Sequence, residues 1–510
     1  MRSIPVRGRV FLGVVSTLLV LFLAAHVYAV IARADREPHM DETEYLHAGW
    51  LMVNGGQLYQ TFFEHHSPFL FKALEPLAPA GERTDVLPYY IHARWLTGAC
   101  GLIAFLGLAA LLWRAAPEAA PIAVGLLVAA GPLWLRGFAE VRAEAFSLAF
   151  FLAGAALVIW SRDWPGGIGA GLIVVAGMWN PKWPVACAAV ALVWLFTTQR
   201  LTTRRGVASA IAAAVTVALA FGALRLIVPL DMWWFFNFEM NVALAHAVET
   251  TPWVLDTYFR GGIPFLYVPA ALHPWIVVPA ALLLLASLRI ERSAARALPL
   301  ILLVASFIEL RFIFPWPAIW AHYYLMWGIA AAAVLALVPS SLSLLLSRGA
   351  RTERYAGIAL TGATAVMLFL AAAHVIAIAP ERENRATFFV SQRYLRQHLQ
   401  PGEIVWLEPS RHPVSVRDAH YYWFSVGQMA AAAHEMRKTP RGARYLKPDS
   451  GFPVCTLPAG LRYTLDPRRP MAEGEAPACM QRLLDSGEAR RTIFSDVYEV
   501  RLKSAPTRSQ

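Results

Sequence analysis

The chain has 510 residues, of which 57% are hydrophobic and 15% charged, with 18 tryptophans and a net charge of +11. A soluble enzyme carries roughly a quarter charged residues, so the composition excludes one and points to a polytopic membrane protein. The positive charge does not argue for nucleic acid, because membrane proteins gather Lys and Arg on cytoplasmic loops. No nucleic-acid partner is expected.

The N-terminus, MRSIPVRGRV, leads into an apolar run at 10–32 that no cleavage site follows, so it reads as a retained signal anchor. A span needs about 20 apolar residues. About eleven candidates meet or approach that length, near 10–32, 94–113, 119–135, 143–160, 167–180, 184–197, 207–229, 263–288, 297–315, 318–338 and 355–379. Those near 167–180 and 184–197 are short, and a re-entrant pair is an alternative for them. With the N-terminus cytoplasmic, the loops at 1–9, 114–118, 161–166, 198–206, 289–296 and 347–354 hold 14 Lys/Arg against four Asp/Glu. The opposite loop at 33–93 holds four Lys/Arg against nine Asp/Glu, which is the asymmetry of the positive-inside rule.

That orientation places residues 380–510 outside, after a membrane domain of residues 1–379. In this tail FFVSQRYLRQHL predicts a helix, and EIVWLEP and TIFSDVYEVRL alternate as strands. Cys100 and Cys187 fall in apolar runs and read as buried thiols. Cys455 and Cys479 lie in the tail, where an oxidising compartment permits a disulfide; two separate thiols are the other reading. No cysteine spacing suggests zinc. The expected fold class is an all-α polytopic membrane domain with interfacial helices in the first outside loop and a small C-terminal α/β periplasmic domain.

The first outside loop, 33–93, is too long to be structureless in a compact domain. ETEYLHAGWLMV and SPFLFKALEPL carry aromatic and apolar residues at helical spacing and read as amphipathic interfacial helices. Between them, Asn54-Gly55-Gly56 breaks the first helix and Ser67-Pro68 starts the second. Asp41 and Glu42 open the first helix. A carboxylate at a membrane lip can serve as a general base. Asp41 and Glu42 can equally cap the helix, where acid is stabilising. Alternatively, such a carboxylate can bind a metal together with Glu64 and a His.

Cations stand at the outside ends of other spans. They are Lys182 in NPKWP, Arg136 and Arg142 with Glu140 and Glu144 in RGFAEVRAE, and Arg311 with Glu309 in IELRFIFPWP. Charge at membrane depth is costly and often functional. Together these cations suit a phosphate; singly they read as snorkelling or ion-paired residues. The loop at 231–262 is aromatic and acidic, as either a cavity cover or an aromatic belt. AHYYLMW opens a late span with His322 and Tyr323.

The order of these pieces resembles the GT-C superfamily of membrane glycosyltransferases. The likeness is to the polyprenyl-phosphate-sugar-dependent families, which include protein O-mannosyltransferases, lipid A aminoarabinose transferases and rhizobial-type lipopolysaccharide glycosyltransferases. It is carried by one span, then MDETEYLHAGWLMVNGGQLYQTFFEHHSPF, VRAEAFSLAFF, WNPKW and HYYLM, over about residues 10–340. The chain departs from many relatives in having HHSPFLFK where they have Lys-Pro-Pro.

The resemblance implies an inverting transfer of a single sugar from a polyprenyl-phosphate donor. The acceptor is a hydroxyl of an envelope glycolipid (lipid A or lipopolysaccharide), another glycan or a protein, at the outer face of a bacterial inner membrane. Asp41 then matches the catalytic base, with Glu42 its neighbour. Lys182, Arg142 and Arg311 meet the donor phosphate, and Tyr59, Glu64, His65, His66, His322 and Tyr323 line the substrate cavity. No cofactor is required; a divalent metal on Glu64 and His66 is an option. A transporter or flippase is the alternative, although no inverted repeat or matched helix breaks support it. A non-catalytic envelope scaffold is a third reading.

Overall fold

The computed structural model describes residues 6–130, 137–161, 163–180, 183–197, 203–249, 274–309, 324–346, 386–407, 411–418, 427–447, 461–465, 484–492 and 497–500, with a few single positions between. In chain order the helices begin with α1 (Val6–Arg33), α2 (Met40–Val53), α3 (Pro68–Leu74), α4 (Leu87–Ala115) and α5 (Ala119–Ala129). They continue with α6 (Ala143–Trp160), α7 (Trp164–Trp179), α8 (Pro184–Thr197), α9 (Arg204–Ile227), α10 (Leu230–Trp234) and α11 (Met240–Glu249). Next come α12 (Pro274–Ser287), α13 (Ala294–Ile308), α14 (Leu325–Ala336) and α15 (Val338–Leu346). The tail holds α16 (Ala386–His398), β1 (Ile404–Trp406), α17 (Gly427–Arg437), α18 (Pro440–Tyr445), β2 (Leu461–Leu465), β3 (Ala489–Arg491) and β4 (Val497–Val500).

Backbone polar groups inside hydrocarbon must pair within their own segment, so the apolar runs become helices. Among the described residues, five helices are long and apolar enough to cross a membrane, and five shorter ones are apolar. The span expected at 355–379 lies outside the described residues save for single positions, as do Cys455 and Cys479.

The chain folds into two compact units. The first comprises Met1–Ala34, Arg94–Arg225 and Val254–Glu381. Here α5 packs on α1 and α14, α8 on α7 and α13, and α6 on α7. Small residues bring α6 and α7 close, as is usual between membrane helices. A Cβ on Gly154 would lie 2.6 Å from the Gly169 carbonyl oxygen, and one on Gly169 would lie 2.6 Å from that of Gly154. Two buried polar side chains of this unit show how such groups are paired. The His26 ring accepts from the Trp134 indole N–H at 3.1 Å through Nδ1, which leaves Nε2 to donate to Gly98 O at 2.9 Å. Arg296 donates to Ser340 Oγ at 3.1 Å and to the carbonyl of Ala115, the last residue of α4, at 3.3 Å. Its charge suits a helix C-terminus.

The second unit joins three distant segments, Asp35–Ala93, Leu226–Trp253 and Arg382–Gln510. Its four-stranded sheet has the order β1-β2-β4-β3, with β1 parallel to β2 and the other pairs antiparallel. Period-two alternation in β1 sends Val405 into a core with Leu395, Leu399, Val416 and Tyr463, and Trp406 into another with Leu461 and Val500. The tail is stitched to the loop at 33–93. Phe63 N donates to Tyr421 O at 2.7 Å, Arg83 N to Ser415 O at 2.7 Å, and Tyr421 Oη to Tyr59 O at 2.8 Å. It also meets the segment before α11, through Arg441 with Glu239 and Tyr445 with Asp231.

We expect Gly154→Ala to destabilise the purified protein by about 1–3 kcal/mol, the usual cost of overpacking. Gly177→Ala is the control, because its Cβ would meet only Cys187 Sγ, at 3.8 Å. Thermal melting in detergent distinguishes the two.

Candidate active site

The site is built on α2. His39 is its N-cap: its ring accepts from Asp41 N at 3.3 Å, while its own backbone N–H donates to Glu42 Oε2 at 3.0 Å. This is a capping box with an imidazole in the usual hydroxyl position. The acid pair therefore divides its work. Glu42 is buried and closes the cap. The Asp41 side chain is 24% exposed, with an oxygen 3.3 Å from His39 Nδ1.

One turn further along α2, Glu44 enters a buried cluster with Glu64, His65 and His66. Glu64 Oε1 accepts from the backbone N–H groups of His65 at 2.7 Å and His66 at 3.2 Å, and lies 2.8 Å from His66 Nδ1. Glu44 Oε1 is 3.2 Å from the same Nδ1. The Tyr45 ring meets His66 edge-on, with centroids 4.8 Å apart.

Two carboxylates around one ring set opposite proton affinities. Burial and the Glu64 charge raise Glu44 from 4.5 to about 8. Burial opposes ionisation of Glu64 too, but the His65 and His66 hydrogen bonds outweigh it and hold Glu64 at about 2. Burial works against charge on His66 as well, yet the two carboxylates raise it to about 10. The directions favour an ion pair between Glu64 and His66 and a proton retained on Glu44.

Tyr59 and a π-helical turn support the cluster from behind. Tyr59 is fully buried with φ 66° and stacks on Phe236, centroids 4.3 Å apart. Its hydroxyl donates to His66 O at 2.9 Å and accepts from Asn237 Nδ2 at 2.7 Å. Asn241 donates to His65 O at 3.0 Å. Asn237 lies in the π-turn Phe235–Glu239, an element often found at functional sites.

Glu44, Glu64, His65 and His66 each offer a ligand atom within 4.8 Å of the others. Two carboxylates and two imidazoles suit a zinc-class divalent ion. Glu64 Oε2, buried without a hydrogen-bond partner among the described residues, leaves an acceptor for it. The residues present fit such an ion, which would supply Lewis-acid polarisation of a bound oxygen.

In the first unit, Arg142 is buried at the N-cap of α6, 3.2 Å from Glu140 Oε2. Lys182, Arg311, His322 and Tyr323 lie outside the described residues. The sequence reading gave no role to Glu44, Asn237 or Asn241. For Glu44 the signal was its helical spacing behind Asp41; for Asn237 and Asn241 it was their spacing of four.

The sign of each shift fixes a pH test. A carboxyl raised in the folded state, as at Glu44, favours folding fully below its ordinary 4.5 and loses that contribution as pH rises through about 8. His66 acts in the same sense, between 6.5 and about 10. Glu64 acts oppositely, losing its contribution as pH falls from 4.5 through about 2. Glu44→Gln, neutral at every pH, should therefore lose less melting temperature than wild type between pH 4.5 and pH 8. Equal losses would contradict the assigned burial of this acid.

No protein-family model matches the chain, and no curated protein matches it in sequence. Among solved structures it is similar to ArnT from Cupriavidus metallidurans bound to undecaprenyl phosphate, with a TM-score of 0.55, 14% identity, and 94% of this chain and 97% of that chain covered. It is also similar to the oligosaccharyltransferase AglB from Archaeoglobus fulgidus in complex with an inhibitory peptide and a dolichol-phosphate. That match has a TM-score of 0.49, 13% identity, and 91% and 72% of the two chains covered. The likeness to ArnT runs along almost the whole of both chains, and the chain has the polytopic, mainly helical GT-C fold with a small α/β tail.

Proposed function

We propose that the chain is an inverting glycosyltransferase. It moves a single sugar from a polyprenyl-phosphate donor to a hydroxyl of an envelope acceptor, at the outer face of a bacterial inner membrane. The observation that carries this reading is the division of acids on α2: Glu42 is taken by the cap, while Asp41 stays partly exposed beside a buried Glu–His cluster. The GT-C fold supports the reaction class, and the undecaprenyl phosphate on ArnT supports the class of donor.

The chemistry follows from these groups. Asp41 accepts the proton of the acceptor hydroxyl as its oxygen attacks the anomeric carbon. The bond from that carbon to the phosphate oxygen breaks on the opposite face, so configuration inverts and the lipid phosphate leaves with the electron pair. Arg142, Lys182 and Arg311 neutralise the growing phosphate charge. The Glu64–His66 pair and Glu44 hold the segment 64–66 against α2 and keep the base in place. Their acid–imidazole set is also where a divalent ion would sit. The bilayer concentrates and orients the lipid donor. The acceptor is an envelope glycolipid such as lipid A or lipopolysaccharide, another glycan, or a protein.

Mass spectrometry of envelope lipids and glycans tests this. In cells lacking the chain, wild type should restore a species heavier by one sugar, and Asp41→Asn at equal membrane abundance should not. Turnover should fall by about 10²–10⁴-fold, the usual contribution of a general base, while the lipid-linked donor accumulates. Full restoration by Asp41→Asn would end this assignment.

A further inference from the structure

A second histidine–carboxylate group lies in the same unit, formed by residues far apart in the chain. His47 projects from α2, and His412 and Asp418 lie on the tail segment 411–418. His47 Nε2 is 2.5 Å from Asp418 Oδ2, and His412 Nε2 is 2.8 Å from Asp418 Oδ1. The two rings stand with centroids 4.1 Å apart. Both histidines are fully buried and the Asp418 side chain is 7% exposed.

The hydrogen-bond chemistry of His47 is directional. Its Nδ1 is 2.5 Å from the carbonyl oxygen of Val414, an oxygen that only accepts. Nδ1 therefore carries a proton. In the neutral ring, Nε2 then presents a lone pair to a carboxylate. Two acceptors at that distance need a cation between them, either a second proton on His47 or a metal. A ligating histidine normally donates its other N–H to a carbonyl or carboxylate, which fixes the tautomer. Val414 supplies that carbonyl from φ 40°, a left-handed conformation that is strained for a β-branched residue. Such outliers persist where surrounding contacts over-determine them. Here Gln392 binds His412 O, Arg83 N binds Ser415 O at 2.7 Å, Ser415 Oγ binds Thr84 O at 3.0 Å, and Val405 N binds Arg417 O at 3.0 Å.

We propose that His47, His412 and Asp418 bind a zinc-class divalent cation that fastens the tail to α2. Two imidazole nitrogens and a carboxylate oxygen are ordinary zinc ligands, with bonds of about 2.0–2.2 Å. Tetrahedral ligand atoms then stand roughly 3.3 Å apart, so the side chains retreat by less than about 1 Å to admit the ion. Three protein ligands leave a fourth position for water. Asp418 also lines a cavity of about 380 Å³ with Trp50, Arg417, Tyr421 and Lys447, which gives the ion a route in. The ion takes the place of the second proton on His47, between its Nε2 and the Asp418 carboxylate.

The test is zinc content, independent of any transferase activity. Full-length protein in detergent is stripped with chelator, re-equilibrated with zinc and freed of excess. Inductively coupled plasma mass spectrometry then counts the metal, and melting is followed with and without zinc. Wild type should hold one zinc per chain more than His412→Gln or Asp418→Asn, and zinc should raise its melting temperature but not theirs. Glu64→Gln, in the separate cluster beside Asp41, should keep this equivalent. His412→Cys, which replaces one zinc ligand by another, should keep both the zinc and the stabilisation. Equal zinc in wild type and His412→Gln would overturn the proposal and leave a proton-shared His–Asp–His network. Should Gln and Asn variants fail to fold, Glu64→Gln, which disables the other cluster, decides it with Glu64→Gln/His412→Cys: the absence of bound zinc in Glu64→Gln overturns the proposal. Loss of transferase function in Asp41→Asn would leave the zinc count untouched, so the two readings fail separately.

Discussion

A carboxylate removed from water must gain a proton, a cation or a shell of donors, because burying it bare is prohibitively costly. The second unit buries Glu44, Glu64 and Asp418, and each is answered by imidazole. Those answers have direction, which apolar packing lacks. His66 sits between Glu64 and Glu44 and so fixes the segment after the Gly55–Gly56 turn against α2. His47 reaches Asp418 and so fixes the tail segment against the same helix. Around these points the aromatic groups fill space: Tyr59 on Phe236, Tyr45 on His66, His47 on Trp50.

The helical body was legible from apolar run length, since hydrocarbon permits little else there. The run at 143–160 became α6 over Ala143–Trp160, and the short runs at 167–180 and 184–197 became the packed pair α7 and α8. The two helices of the first outside loop were legible from spacing and from the Asn-Gly-Gly break. In the tail, FFVSQRYLRQHL gave α16, and β1 and β4 fell inside the two alternating stretches. Strands β2 and β3 were not seen. Leu461–Leu465 carries Arg462 and Thr464 between apolar positions, and Ala489–Arg491 is mostly charged, so neither stands out without its partners.

The acids and histidines of the loop could be picked out by type, but their division of labour could not. Asp41 and Glu42 are chemically near-equivalent in sequence. Only the turn of backbone at His39, which sends its N–H to Glu42, separates a cap from a partly exposed acid. Glu44 needed the fold as well: nothing in ETEY says that its carboxyl will share one ring nitrogen with Glu64. The His47–His412–Asp418 group lay further beyond reach, since RHPVSVRD has no spacing that points back to α2. Arg142 was found by its place at a span end, and its burial beside Glu140 is a feature of the folded turn.

His47 and Asp418 are separated by 371 positions. At a synthesis rate of about 5–20 residues per second, the earlier residue waits roughly 20–75 s for its partner. During that interval α2 exists with one side uncovered, and the segment 64–66 can already close on it through the Glu44–His66 contact, which is short-range in the chain. Assembly of the second unit is therefore ordered in time: the acid–imidazole half can form early and locally, whereas the half that uses the tail is a late, long-range event. Premature termination anywhere in the intervening helices would release a chain whose loop 33–93 had folded locally but whose His47 lacked Asp418.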